Sequence, residues 1–244
     1  MSSFKSLGIA AAGLLAVSLT GPVKAQNGAP AWLDVAVIQV KLGQGPAFED
    51  LISDYLDARA AAGLPASTVY QVQMGHPNEY HIVTVSDSIA AGAEEPPPMP
   101  EAAMAMWAQR ISSTADSLRF FVAGINQDVG VDGPADAEFL LLRTIRVVSG
   151  KEAEYVDWVT NQYAPAWRQV DGIGHTMSRG AFGDSPQNFY HAYGFADLST
   201  LDQPDPLGPI LGQRRMEALF DAVDGIVESH DIIVARVRTD LMPE

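Results

Sequence analysis

The stretch "NEYHIVTVSD", residues 78–87, returns later in the chain as "NFYHAYGFAD", residues 188–197. Each has Asn, any residue, Tyr and His, with an Asp six positions beyond the His. The recurrence has two readings, a pair of histidine sites or one strand made twice. Tyr, His and β-branched residues suit a pleated, half-buried surface. Asn suits the turn before it, where its side chain can bond local backbone. The strand reading therefore explains the motif without chemistry, and the flanking sequence tests it.

Before the first copy, "AWLDVAVIQVKLGQG" alternates as a strand and ends in a Gly-rich turn. In "PAFEDLISDYLDARAAAG", Phe48, Leu51, Ile52, Tyr55 and Leu56 recur at helical spacing, and Gly63 stands where a helix closes. "STVYQVQMG" alternates as a second strand. After the motif come a Pro-rich loop, a helix over "EAAMAMWAQRISSTADSL", and a strand, "RFFVAGINQD". The second half repeats that order. "AEFLLLRTIRVVSG" is strand and turn, and "KEAEYVDWVTNQYAPAWRQVDG" is a helix kinked or divided at Pro165. "GHTMSRG" and the second motif copy are strands, "ILGQRRMEALFDAVDGIVE" is a helix, and "HDIIVARVRTD" is the closing strand.

Each half thus reads β-α-β-β-α-β, the ferredoxin-like unit. Helices cover one face of such a sheet, and the other face needs a cover too, which the second sheet can supply. The expectation is an α+β fold. Two tandem ferredoxin-like βαββαβ repeats, residues 26–132 and 133–244, pack their antiparallel sheets face to face as an α/β barrel. With these element orders, and with "NEYH" matching "NFYH", the chain resembles the dimeric α/β-barrel superfamily in a tandem, single-chain form. That resemblance implies a group that includes cofactor-free monooxygenases, polyketide cyclases, haem enzymes of the chlorite-dismutase type and proteins that only bind. Fold does not choose among them.

Strand alternation nominates the residues between the sheets. From the second half it places His175, Met177 and Arg179, and Phe189, His191 and Tyr193, inside. Arg146 and Arg236 join them, with Gln39, Thr144 and His81 from neighbouring strands. His191 and His175 are the candidate catalytic residues, since a neutral imidazole can act as a base or a metal ligand. Phe189, Tyr193, Arg179, Arg146 and Arg236 are the candidate ligand-binding residues for a phenolic or anionic molecule. The plainer alternative pairs the arginines with some of the 30 acidic residues at the surface. His76, Glu79 and His81 lie close together, but with no third strong ligand nearby no metal is assigned. No cofactor is required, with haem through His191 as the alternative. No G-x-S-x-G elbow, G-x-G-x-x-G or P-loop occurs.

Composition bounds the rest. Lys5, then the 13-residue apolar run Leu7–Leu19, then Gly21, Pro22 and "VKA" at 23–25 form a signal peptide with a cleavage site after Ala25. That run is too short to span a bilayer. Removing 25 of 244 residues leaves 219, enough for a core without staples. The chain has no cysteine, so disulfide and thiolate chemistry are excluded. The net charge is −15, and losing Lys5 and Lys24 makes it −17. Such a chain is repelled by phosphate backbones, which argues against nucleic acid as a partner. The expected protein is periplasmic or secreted, not membrane-embedded in its mature form, with a small-molecule ligand. Its exported form is expected to begin at Gln26 by N-terminal sequencing, and an exported chain retaining Met1 would refute the cleavage site.

Overall fold

The computed structural model describes residues 31–134, 136–203 and 205–243; the expected signal peptide lies outside them. Eight strands form one closed antiparallel barrel. The first four are β1 (Trp32–Val40), β2 (Ser67–Met74), β3 (Glu79–Ser86) and β4 (Ala115–Val131). The second four are β5 (Phe139–Val147), β6 (Gly174–Phe182), β7 (Asn188–Phe195) and β8 (Val227–Val237). The first four lie in the order β4-β1-β3-β2 and the second four in the order β8-β5-β7-β6. The two groups meet edge to edge, β2 on β8 and β4 on β6. Closure leaves no strand edge unpaired.

The helices cover the outside. Helix α1 (Gly45–Ala61) has Pro46 in its first turn, where the missing N–H costs nothing. Its Phe48, Leu51, Ile52 and Leu56 are buried against the outward residues Ile38, Val40 and Tyr80. A short α2 (Ile89–Ala93) follows, capped by Ser88. Helix α3 (Glu101–Thr114) ends four residues before the sequence reading placed its end. Ser112, Ser113 and Thr114 turn their hydroxyls back onto the carbonyls of residues 109–111, which competes with further helical bonding. β4 begins at once.

In the second half, α4 (Glu152–Trp158) passes through a π-helical turn, Val159–Tyr163, into α5 (Ala164–Trp167). The division falls at Pro165, which has no N–H to donate. The helix expected over residues 210–228 is broken at Gly212 (φ +71°) into α6 (Leu207–Leu211) and α7 (Gln213–Asp221). These elements bury Tyr155, Trp158, Tyr163, Trp167 and Leu219 against β5, β6 and β7. None of the described helices is long and apolar enough to cross a membrane.

The two halves use corresponding contacts. Phe48 packs on Tyr80 with ring centroids 4.8 Å apart at 52°, and Tyr155 packs on Phe189 at 4.8 Å and 56°. The turns after β1 and β5 each carry a glycine at positive φ, Gly43 at +78° and Gly150 at +86°. Arg238 joins the chain's end to the first half: its guanidinium forks onto Glu49 of α1 and bonds Gln71, while the Tyr80 hydroxyl donates to Glu49 at 2.6 Å. The Arg238 bonds hold the Glu49 carboxyl below its ordinary pKa against the opposing effect of burial.

At the β2–β8 seam, Gly75 (φ +105°) lies where an added Cβ would sit 2.8 Å from Ile233 Cγ2 and 3.1 Å from the Ile232 carbonyl. Gly63 (φ +69°) has nothing within 4 Å. Gly63→Ala is expected to cost about 1–2 kcal/mol of backbone strain. Gly75→Ala should cost about 1–3 kcal/mol more through overpacking. Urea unfolding compares the two; equal losses would mean that the seam has slack.

Candidate functional site

Because side chains alternate along a strand, each strand of this barrel feeds two compartments. One is the barrel interior. The other lies between the barrel and its helices.

The interior is a cavity of about 650 Å³. Leu33, Val35, Val37, Val83, Phe121 and Leu142 contribute apolar wall, and Tyr70, Phe139 and Tyr190 contribute aromatic wall. Polar residues gather at one end: Gln39, His76, Glu79, His81, Ser117, Arg119, Thr144 and Asp231. The opposite end has Leu33, Ala123, Phe139, Leu140 and Val237, with Gly174 and Gly194, and the nominated His175 and its neighbour Thr176 add polar atoms to the wall beside Gly174. His81 is bonded to Glu79, Nε2 to Oε1, at 2.6 Å. Glu79 Oε2 lies 3.3 Å from His76 Nδ1, and His76 Nε2 lies 3.4 Å from Asp231 Oδ2. The chain His81–Glu79–His76–Asp231 thus crosses the β2–β8 seam. His81 and Glu79 side chains are 11% and 12% exposed, whereas His76, Asp231 and Arg119 are 48%, 56% and 51% exposed, so the polar end is the wetter one.

Burial raises the Glu79 pKa, but hydrogen bonding and charge from His81, with His76 behind, outweigh it and keep the carboxyl below its ordinary value. An ionised carboxylate only accepts, so the shared proton belongs to His81 Nε2. In the neutral ring the second nitrogen, Nδ1, is then an acceptor, an arrangement suited to a general base. Arg119 stacks over Phe121 at 4.8 Å and lies 3.5 Å from Asp184. Asp184 also accepts from Asn188 at 2.8 Å and from the Tyr190 hydroxyl.

The second compartment holds most of the residues that sequence analysis nominated. Phe189, His191 and Tyr193 face α4 and α5; Tyr190, Ala192 and Gly194 face the cavity. This corrects the expected orientation. Val40 N–H bonds the Asn78 carbonyl, and Val147 N–H bonds the Gln187 carbonyl. Asn78 therefore corresponds to Gln187, and the N-x-Y-H match is out of step by one residue. His81 takes the place of Tyr190, and His191 takes that of Ile82. A one-residue slip exchanges the faces of a strand.

His191 is buried in a closed chain of bonds. Its Nε2 meets the Tyr155 hydroxyl at 2.8 Å, and its Nδ1 meets His175 Nε2 at 2.9 Å. Tyr163 and Tyr193 share a 2.7 Å hydroxyl bond beside it. Both His191 nitrogens are occupied, so it is placed neither as a free base nor as an iron ligand. The site does not fit haem ligation through His191 unless that chain breaks. Among the described residues no group of three or more His, Cys, Asp or Glu side chains is arranged to hold a metal ion.

The arginines also lie outside the cavity wall. Arg179 stacks over Phe189 at 5.3 Å and donates to the Pro186 carbonyl at 2.6 Å. Arg146 bonds Glu228 at 3.0 Å and Gln187 at 3.3 Å. Arg236 lies 3.5 Å from Glu138. Arg146 and Arg236 are paired with acids at the surface, as the plainer alternative had it, whereas Arg179 is held by a backbone carbonyl and a ring. Sequence reading missed Arg119 as a wall residue, although the alternation of β4 carries the signal. Gln39, His81 and Thr144 do face the cavity as expected.

Similar architecture occurs among solved structures. An anthrone oxidase-like protein matches with a TM-score of 0.61 at 12% identity, over 86% of this chain and 92% of that one. A candidate monooxygenase from Lactobacillus acidophilus matches at 0.58 and 11%, over 86% and 94%. A chlorite dismutase from Candidatus Nitrospira defluvii in complex with imidazole matches at 0.52 and 8%, over 86% and 93%. At these identities the likeness is one of fold. No protein-family model matches the sequence, and no curated protein does either.

Burial lowers the His175 pKa to about 4. Burial, then the charges of His175 and Arg143, push His191 well below its ordinary value. With folded values depressed below about 6.5, the unfolded chain takes up these protons first as pH falls. Stability from the pair is complete above pH ~6.5 and declines toward pH ~4, by up to about 1.4 kcal/mol per pH unit for each histidine. Ring NMR signals of His175 should hold their neutral position down to about pH 4. Titration of either ring near pH 6.5 in the folded protein would contradict this burial.

Proposed function

We propose that this chain, whose structural neighbours are of the dimeric α/β-barrel superfamily, binds a small, largely apolar or aromatic molecule inside its barrel. One observation carries the reading: the two sheets close around about 650 Å³ of space with largely apolar walls and polar residues gathered mainly at one end. That volume is in the range of small-molecule sites. A barrel packed full by its own side chains would leave no such space. The two halves are read as tandem ferredoxin-like repeats, supported by their matching strand orders and by the Phe48–Tyr80 and Tyr155–Phe189 ring pairs. Export follows from the N-terminal sequence, with cleavage near Ala25 and action in the periplasm or outside the cell.

The same cavity supports cofactor-free oxygenase or cyclase-type chemistry. His81 is the base in this reading, with Glu79 holding its ring and fixing its tautomer. His191 and His175 then serve the fold, as a buried pair that keeps α4 and α5 on the second sheet. The neighbours described as a candidate monooxygenase and as anthrone oxidase-like are compatible with such chemistry.

Naphthalene is a suitable apolar probe. The wild-type protein is expected to bind it, and Leu142→Trp, which places an indole into the cavity, should weaken binding at least tenfold while circular dichroism stays unchanged. Failure of the wild type to bind, or equal binding by the variant, would remove the interior site. Mass spectrometry of the protein purified from its native compartment should show a co-purified organic molecule.

A further inference from the structure

Beyond the His81–Glu79 pair, Tyr70 offers the cavity a polar group with no protein partner. Tyr70 lines the interior from β2, and no hydrogen bond to its hydroxyl occurs among the described residues. Desolvation alone acts on it and pushes its pKa up to about 12, so it keeps its proton and remains a donor. Tyr70 is half-buried and its hydroxyl borders the cavity, so what occupies the cavity is what can bond it.

The position of Tyr70 sets what stands beside it. β2 pairs with β3 so that Tyr70 stands directly opposite His81. His81 stands in turn opposite Val37, and Val37 opposite Arg119. One row across the first sheet therefore reads Arg119, Val37, His81, Tyr70, all facing the cavity. Directly opposed residues on one face have Cβ atoms about 4.5–5.5 Å apart. A donor that keeps its proton thus stands beside a ring held by Glu79, whose second nitrogen accepts when the ring is neutral.

We propose that Tyr70 and His81 form a donor–acceptor pair that selects an apolar molecule carrying a hydroxyl group. The ligand oxygen accepts from the Tyr70 hydroxyl, and the ligand O–H donates to His81. One hydroxyl satisfies both groups at once. An ether or ketone oxygen satisfies only Tyr70, and a hydrocarbon satisfies neither. Tyr70 stands opposite Val237 of β8, so the row runs from Arg119 to apolar wall, and the ligand's body extends along Val35, Leu142 and Phe121. This inference rests on the interior-binding reading and adds the ligand's polar group to it.

Three naphthalene derivatives with one body test the pair by fluorescence titration: 2-naphthol, 2-methoxynaphthalene and naphthalene. The wild type is expected to bind them in that order of affinity, with about tenfold between the first and the last. Tyr70→Phe should weaken 2-naphthol and 2-methoxynaphthalene about fivefold and leave naphthalene within twofold. His81→Leu should weaken 2-naphthol alone. Because the two variants have different expected patterns, a general loss of packing cannot imitate both. Naphthalene bound as tightly as 2-naphthol by the wild type, or all three weakened alike by Tyr70→Phe, would overturn the pair and leave the interior site standing. Binding of none of the three by the wild type would remove the interior site and the pair together.

Discussion

A β-strand offers its side chains to two sides, and closing the barrel gives those sides different chemistry. Backbone pairing decides which residue goes where, and it does so for whole strands at a time. In β3, Glu79, His81 and Val83 enter the cavity while Tyr80 and Ile82 join the helix layer. In β7, Tyr190, Ala192 and Gly194 enter the cavity while Phe189, His191 and Tyr193 join the helix layer. The bond from Val40 to Asn78, and its counterpart from Val147 to Gln187, set these phases. Every assignment of role to a histidine depends on them.

The two histidine environments illustrate the consequence. His191 and His175 stack with ring centroids 5.2 Å apart among Tyr155, Tyr163, Trp167 and Tyr193. Their bonds end on each other and on Tyr155, which leaves His175 Nδ1 as the one ring nitrogen of the pair without a partner. Arg143, opposite His191 in the β5–β7 pairing, further opposes a proton there. A buried network of this kind rigidifies a core, and its one unbonded ring nitrogen, His175 Nδ1, belongs to a residue at the cavity wall. His81 is less buried, has a carboxylate partner on one nitrogen, and borders open volume. The residue with fewer internal partners is the better placed for chemistry.

Much of the architecture is legible in the sequence because it rests on periodicity. The 3.6-residue spacing of Phe48, Leu51, Ile52 and Leu56 marks α1, and the alternation of residues 33–40 marks β1. Gly43 and Gly63 stand where the chain must take a positive φ. The helix ends were harder, since Ser112 to Thr114 stop α3 through side-chain bonds that no periodicity announces. The candidate site was harder still. The segment "GAFGDSPQ" before the second motif copy differs in length from "GHPN" before the first, and aligning the copies on their Tyr-His letters absorbed one residue of that difference in the wrong place. Strand pairing across the barrel carries the correction, and pairing is long-range information.

Closure also shapes the cavity. The seams at β2–β8 and β4–β6 complete the ladder, so walls such as Val35, Leu142 and Phe121 border no free strand edge. Polar side chains are costly in an apolar wall, and most of them gather at one end. There the ladder between β2 and β8 is irregular after Val72, Gly75 presses on Ile233, and His76 reaches Asp231 across the seam. The β2–β8 ladder is thus irregular near the polar end, and the β4–β6 ladder is irregular between Asn126 and Val131, beside Met177 and His175. A ligand entering from that end meets Arg119, Glu79 and His81 before it meets hydrocarbon. Its polar group can stay near those residues while its apolar body moves inward, so the order of encounter along the path matches the order of chemistry in the site.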